Sequence, residues 1–183
     1  MSTKHSKAAA RFIGNRKQEA WHDETLWMVR AKRDKMSHSL PEWERLRELA
    51  CEIKLYSNSH LDVLLEEFEK NATANGAIVH WAKDAAEHNA IVEEILQQHK
   101  AHTLIKSKSM LTEECGMNDY LFGKGYDIIE SDLGERILQW MKLHPSHIVM
   151  PAIHIKRQEV GEMMERVLGT EKGNSDPTYL THA

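Results

Sequence analysis

The sequence predicts an α/β fold in which N-terminal helices are followed by an open, mainly parallel sheet with flanking helices. Three observations lead there. Residues before 75 carry apolar side chains at helical spacing and no strand-like run. After Asn75-Gly76, short apolar runs alternate with amphipathic segments. The alternation gives four strand–helix units in succession, the pattern of a parallel sheet with helices on its faces.

Three helices are expected first. Residues 7–33 are rich in Ala, Arg, Lys, Glu and Gln, lack proline, and carry Phe12, Ile13, Ala20, Trp21, Trp27, Met28 and Ala31 as a loose apolar stripe. Ser37-His38-Ser39-Leu40-Pro41 breaks that run, and Ser39 followed by Glu42 has capping-box spacing. Trp43, Leu46, Leu49, Ala50 and Ile53 then repeat at helical spacing, and a third segment from Asn58-Ser59 carries Leu61, Leu64, Leu65 and Phe68.

The four expected strands are 77–81, 103–105, 126–130 and 147–150. Asp84 is placed to cap a helix running to His99, with Ile91, Val92, Ile95 and Leu96 inward. A short helix is expected from Thr112 to Leu121, and Gly123-Lys124-Gly125 after it as a C-cap and turn. Asp132 and Glu135 open the next helix in capping-box fashion, with Pro145 as its stop. Lys156 to Leu168 is the last helix. The expected organisation is a helical segment over 1–74, an α/β core over 75–168, and a polar tail over 169–183.

The 183 residues carry a formal net charge of −4, with 28% charged and 41% hydrophobic side chains. Nucleic-acid-binding domains usually show a basic face and a high pI, so this balance argues against nucleic acid as a partner. The basic N-terminus, MSTKHSKAAARFIGNRK, lacks the apolar core of a secretory signal, and a cytoplasmic location is expected. No apolar stretch approaches membrane-spanning length. The two cysteines, Cys51 and Cys115, form no CxxC pair and fall short of the four thiolates of an iron–sulfur cluster. The twelve histidines form neither HExxH nor a Cys/His zinc spacing, so no metal site is expected.

Ligands of open α/β sheets bind beyond the carboxyl ends of the strands. That rule selects four corners: 80–83, 106–109, 130–132 and 151–154. In the second, Lys106 and Lys108 flank Ser107 ahead of a helix N-terminus, an arrangement that favours phosphate or carboxylate. Thr112 and Glu113 follow in the helix, and Glu113 and Glu114 balance the two lysines in charge. The corner therefore either grips an anion or neutralises itself as solvated ion pairs. No GxxxxGK[ST] or GxGxxG loop supports a phosphate site. His154 follows the fourth strand, where it is either a proton donor and anion contact or a helix-capping loop residue.

Three runs in order, IKSKSMLTEECGMN, IIESDLGERILQ and PSHIVMPAIHIKRQEVGEMM, resemble the lactate-utilisation protein B family, also described as YkgF-like iron–sulfur proteins with an N-terminal LUD domain. ARFIGNRKQEAW near the start looks like the same family, so the resemblance covers nearly the whole chain. It implies a LUD domain similar in fold to sugar-phosphate isomerases and CoA transferases. It also implies membership of a three-protein system that oxidises L-lactate to pyruvate, with sister subunits as partners. The family's B component carries cysteine motifs for two [4Fe–4S] clusters, and those motifs are absent from these residues. The chain is therefore expected to be truncated before the cluster-binding region, with no cofactor of its own. Lys106, Ser107, Lys108, Thr112, Glu113 and His154 match the family's motifs and stand as ligand-binding candidates, with no catalytic residue assigned. The alternatives are a stand-alone α/β module that binds a phosphate or carboxylate metabolite or acts as an isomerase or transferase, and an interaction domain that docks through its N-terminal helices.

Overall fold

The computed structural model describes residues 5–182. The first four residues of the basic N-terminal run, and Ala183, lie outside the described residues. The chain divides into two compact units, residues 1–26 with 84–183, and residues 27–83.

The unit of residues 27–83 is helical. It takes the C-terminal part of α2 (Arg16–His38) and all of α3 (Trp43–Ser59) and α4 (Leu61–Ala74). The Ser39–Glu42 capping box does not form. The Ser39 hydroxyl donates instead to Met36 O at 2.7 Å, satisfying the end of α2, and the N-cap of α3 is Glu42, which makes no side-chain cap hydrogen bond. The apolar stripe of α3 is a true helical repeat, but Trp43, Leu46, Leu49 and Ile53 are exposed, as are Leu61 and Phe68 of α4. Residues 77–81 are not a strand: Ile78 is 82% exposed and the segment joins no ladder. An apolar run becomes a strand only where a second strand takes its backbone hydrogen bonds, and among the described residues none pairs with this run.

The other unit holds the sheet. α1 (His5–Gly14) and α2 replace the single helix expected over 7–33, and the break falls at Asn15. Asp84 caps α5 (Ala85–Gln98) as its spacing predicts, accepting from Glu87 N at 2.9 Å. The chain then forms β1 (Thr103–Lys106) and, after two short helices, β2 (Asp127–Glu130). The two pair in parallel, Thr103 opposite Asp127 and Lys106 opposite Glu130. The expected helix over 112–121 is split into α6 (Met110–Glu114) and α7 (Met117–Gly123). Gly116, at φ +61, makes the left-handed step between them that a Cβ would strain. Asp132 caps α8 (Leu133–Met141), accepting from Glu135 N at 3.1 Å.

The fold class is the one expected, but the parallel sheet has two strands among the described residues. Residues 147–150 use their N–H groups locally: Val149 N and Met150 N both donate to Nδ1 of His147, at 3.1 and 3.0 Å. With the Val149 and Met150 donors spent inside a turn between Pro145 and Pro151, the run joins no ladder. α8 stops at Lys142, which takes a left-handed conformation, rather than at Pro145. α9 (Arg157–Leu168) closes the expected helix series. The polar tail is not all loop: α10 (Pro177–Thr181) forms in it, capped by Asp176, and Leu180 packs into the core.

Two apolar clusters hold this unit. Leu96, Met117, Leu121 and Ile128 bury the contact of α5, α7 and β2. Ile137, Met163 and Met164 bury the contact of α8 and α9. The tail crosses α9 closely: a Cβ on Gly161 would lie 2.4 Å from Asn174 O, a backbone atom that cannot swing aside. Gly161→Ala should therefore lower stability by about 1–3 kcal/mol despite its gain in helix propensity. Gly123→Ala, at the open end of α7, should be neutral or slightly stabilising. Urea unfolding of both variants checks the pair.

Candidate functional site

The period of a strand places every second side chain on one face. In β1, Leu104 and Lys106 face inward, and in β2 Ile128 and Glu130 do. Parallel pairing in this register sets Lys106 directly beside Glu130, one step beyond the apolar pair Leu104–Ile128. The Nζ of Lys106 lies 2.5 Å from Oε1 of Glu130, with the side chains 10% and 2% exposed. Asn118 of α7 donates through Nδ2 to the same oxygen at 2.8 Å. A buried charge is tolerated when it is paired and hydrogen-bonded, and here both conditions are met on one oxygen.

Gln139 of α8 completes the β2 side. Its Nε2 donates to Ile128 O at 2.6 Å, and its Oε1 accepts from Glu130 N at 3.4 Å and from Arg136. One side-chain amide thus takes two of the backbone groups that a further strand would have used, which satisfies part of the sheet edge without a strand.

Beyond the strand ends lies a cavity of about 700 Å³. Its lining includes Thr112, Glu113, Asn118, Glu130, Glu135 and Gln139. Glu135 is buried in the first turn of α8. Its burial, with the nearby charges of Glu113 and Glu130, pushes its carboxyl above the usual carboxylate range. Among the described residues, no group of three or more His, Cys, Asp or Glu is arranged to hold a metal ion.

The six candidate residues divide. Thr112 and Glu113 line the cavity, and Lys106 reaches it through Glu130. Ser107 is exposed. Lys108 donates to Val149 O at 2.8 Å, which ties the turn of 147–150 to the end of β1. His154 is elsewhere in the unit. It is buried, its Nδ1 is 2.6 Å from Ser146 Oγ, and its ring meets that of His22 edge-on at 6.5 Å. Burial, aided by His22, holds the His154 pKa below its ordinary value. Of the four expected corners, the second and third come together. The first, 80–83, lies in the other unit beyond a strand that does not form.

Sequence reasoning passed over Asn118, Glu135 and Gln139. Glu135 was legible only as a capping residue, and nothing local marks Asn118 or Gln139. Glu130 had a signal: it sits two residues after Ile128, so an inward Ile128 puts it inward too.

Cys51 lies in α3 and Cys115 at the end of α6, in different units and both as free thiols. They do not supply the four thiolates of a [4Fe–4S] cluster.

The Lys106–Glu130 pair should behave as a buried unit. Lys106→Met alone leaves a carboxylate without its cation and should cost about 3–5 kcal/mol, whereas Lys106→Met with Glu130→Leu should recover most of that loss. A double-mutant cycle by urea unfolding measures the coupling.

A family model described as the LUD domain matches residues 65–178. The uncharacterized electron transport protein YkgF of Escherichia coli strain K12 is 37% identical over 153 residues, 84% of this chain and 32% of that protein. Lactate utilization protein B of Bacillus pumilus is 41% identical over 137 residues, 74% of this chain and 29% of that protein. Lactate utilization protein B of Macrococcus caseolyticus is 37% identical over 153 residues, 83% of this chain and 32% of that protein. The chain spans about a third of the length of these curated relatives. No solved structure matches it. With the match covering well over half of its residues, the chain belongs to the LUD domain family.

Proposed function

We propose that this chain is the N-terminal part of an iron–sulfur electron-transfer protein that takes part in oxidising L-lactate to pyruvate. The observation that carries this reading is the similarity, over most of the chain, to proteins named lactate utilization protein B and electron transport protein YkgF. In this reading the part in hand is scaffold. It forms two strands, caps the β2 edge with Gln139, and holds the cavity at the strand ends. The clusters belong to other residues of the longer protein, which works in the cytoplasm with sister subunits. No helix among the described residues is long and apolar enough to cross a membrane, which is compatible with that location.

An anion at the 106–108 corner, such as a carboxylate substrate, is the finer part of the same reading. It would compete with the partners the two lysines already have, Glu130 and the Val149 carbonyl. The second reading, a stand-alone small-metabolite module, draws on the cavity itself, whose volume is that of an ordinary small-molecule site.

A domain exchange tests the lactate reading. This chain replaces the matching N-terminal third of a lactate utilization protein B in a strain that lacks its own, and growth on L-lactate is measured. Growth should be restored, and Lys106→Met in the exchanged part should reduce it. A soluble chimera that restores no growth would count against the reading.

A further inference from the structure

The cavity at the strand ends has more buried acceptors than donors. Glu130 Oε2, Glu135 Oε1 and Asn118 Oδ1 are buried without a hydrogen-bond partner. They come from β2, α8 and α7, and all three residues line the cavity. Glu130 and Glu135 are only 3% and 5% exposed. Asn118 cannot turn its amide to mend the deficit, because its Nδ2 is already given to Glu130 Oε1.

Charge runs the same way. Glu113, Asp119, Glu130 and Glu135 line the cavity, against Lys142 and His144. Lys106 is committed to the other oxygen of Glu130. Buried acceptors left unpaired cost roughly 1–3 kcal/mol each, and more when they are charged. A molecule that brings N–H donors and positive charge removes both deficits.

We propose that this cavity binds a primary ammonium group, carried either by a small organic amine or by a lysine side chain of protein outside this chain. An ammonium offers N–H donors and no acceptor, which suits a lining whose unpartnered buried polar atoms are acceptors. A hydroxylated ligand would supply donors and leave the charge unanswered. A carboxylate or phosphate would meet the lining glutamates and be repelled. The site stands whatever chemistry the longer relatives perform, so it goes beyond the lactate reading.

Glu135 gives the site a pH dependence. Its carboxyl faces Glu113 of α6, Glu130 of β2 and Asp132 at its own helix cap, with Lys106 of β1 as the opposing cation. Burial and those acids raise its pKa, so at low pH it holds a proton and offers the cation less. Amine affinity therefore rises with pH through and above the usual carboxylate range, then levels off until the amine itself loses its proton.

Isothermal titration calorimetry on this chain at mildly alkaline pH tests the site. The probes are butane-1,4-diamine, Nα-acetyl-lysine amide, butane-1,4-diol and sodium lactate. The amines should bind, and the diol and lactate should not. The tighter of the two amines identifies the source, diamine for a free metabolite and lysine amide for a protein side chain. Glu135→Gln should weaken amine binding at least about tenfold. Glu113→Gln, at a more open position where folding is not in question, should weaken it by a smaller factor. Amines that bind no better than the diol, or binding that both variants leave unchanged, would overturn the proposal.

Discussion

The ion pair between Lys106 and Glu130 is the constraint on which the rest of the sheet-bearing unit depends. It exists because parallel pairing in this register puts both residues on the inward face, immediately after the apolar pair that starts the core. Two charges taken out of water must satisfy each other, so the strand ends cannot slide without exposing or orphaning one of them. The pair draws in Asn118 from α7, while Gln139 of α8 holds the β2 backbone beside it. Two strands, two helices and the floor of the cavity thus meet at one residue, Glu130.

That arrangement redefines the lysine corner. From the sequence, Lys106 and Lys108 looked like a pair that could face an incoming anion, with Glu113 and Glu114 as their local counter-charge. In the structure their partners are distant in sequence: Glu130 for Lys106, and the Val149 carbonyl for Lys108. The lysines are used to assemble the site, and the surface presented to a ligand is acidic. The lactate reading and the ammonium site proposed above are compatible, because they rest on different residues.

Local signals survived the passage from sequence to structure best. Asp84 and Asp132 cap the helices they were expected to cap, since a cap depends on a side chain and a backbone N–H three residues away. β1 and β2 were legible as apolar runs. The runs at 77–81 and 147–150 looked similar and are not strands, because apolar content cannot reveal whether a pairing edge is available or whether His147 will claim the donors. The core of the site was the least legible. The Lys106–Glu130 contact is a matter of register between strands separated by two helices, and the role of Gln139 appears only when β2 has an edge to satisfy. The exposed apolar stripe of α3 shows the same boundary: spacing identified the helix, not what faces it.

Native-state hydrogen exchange on Lys106→Met reads the central constraint directly. The Ser131 amide donates to Lys106 O, and the Asp127 amide donates to His102 O at the other end of the ladder. If the ion pair holds the strand ends and the floor of the cavity, protection should fall most at Ser131, Glu130 and the α7 amides around Asn118. The amides of α9 should keep theirs. Unchanged protection at Ser131, or an even loss across the whole unit, would contradict it.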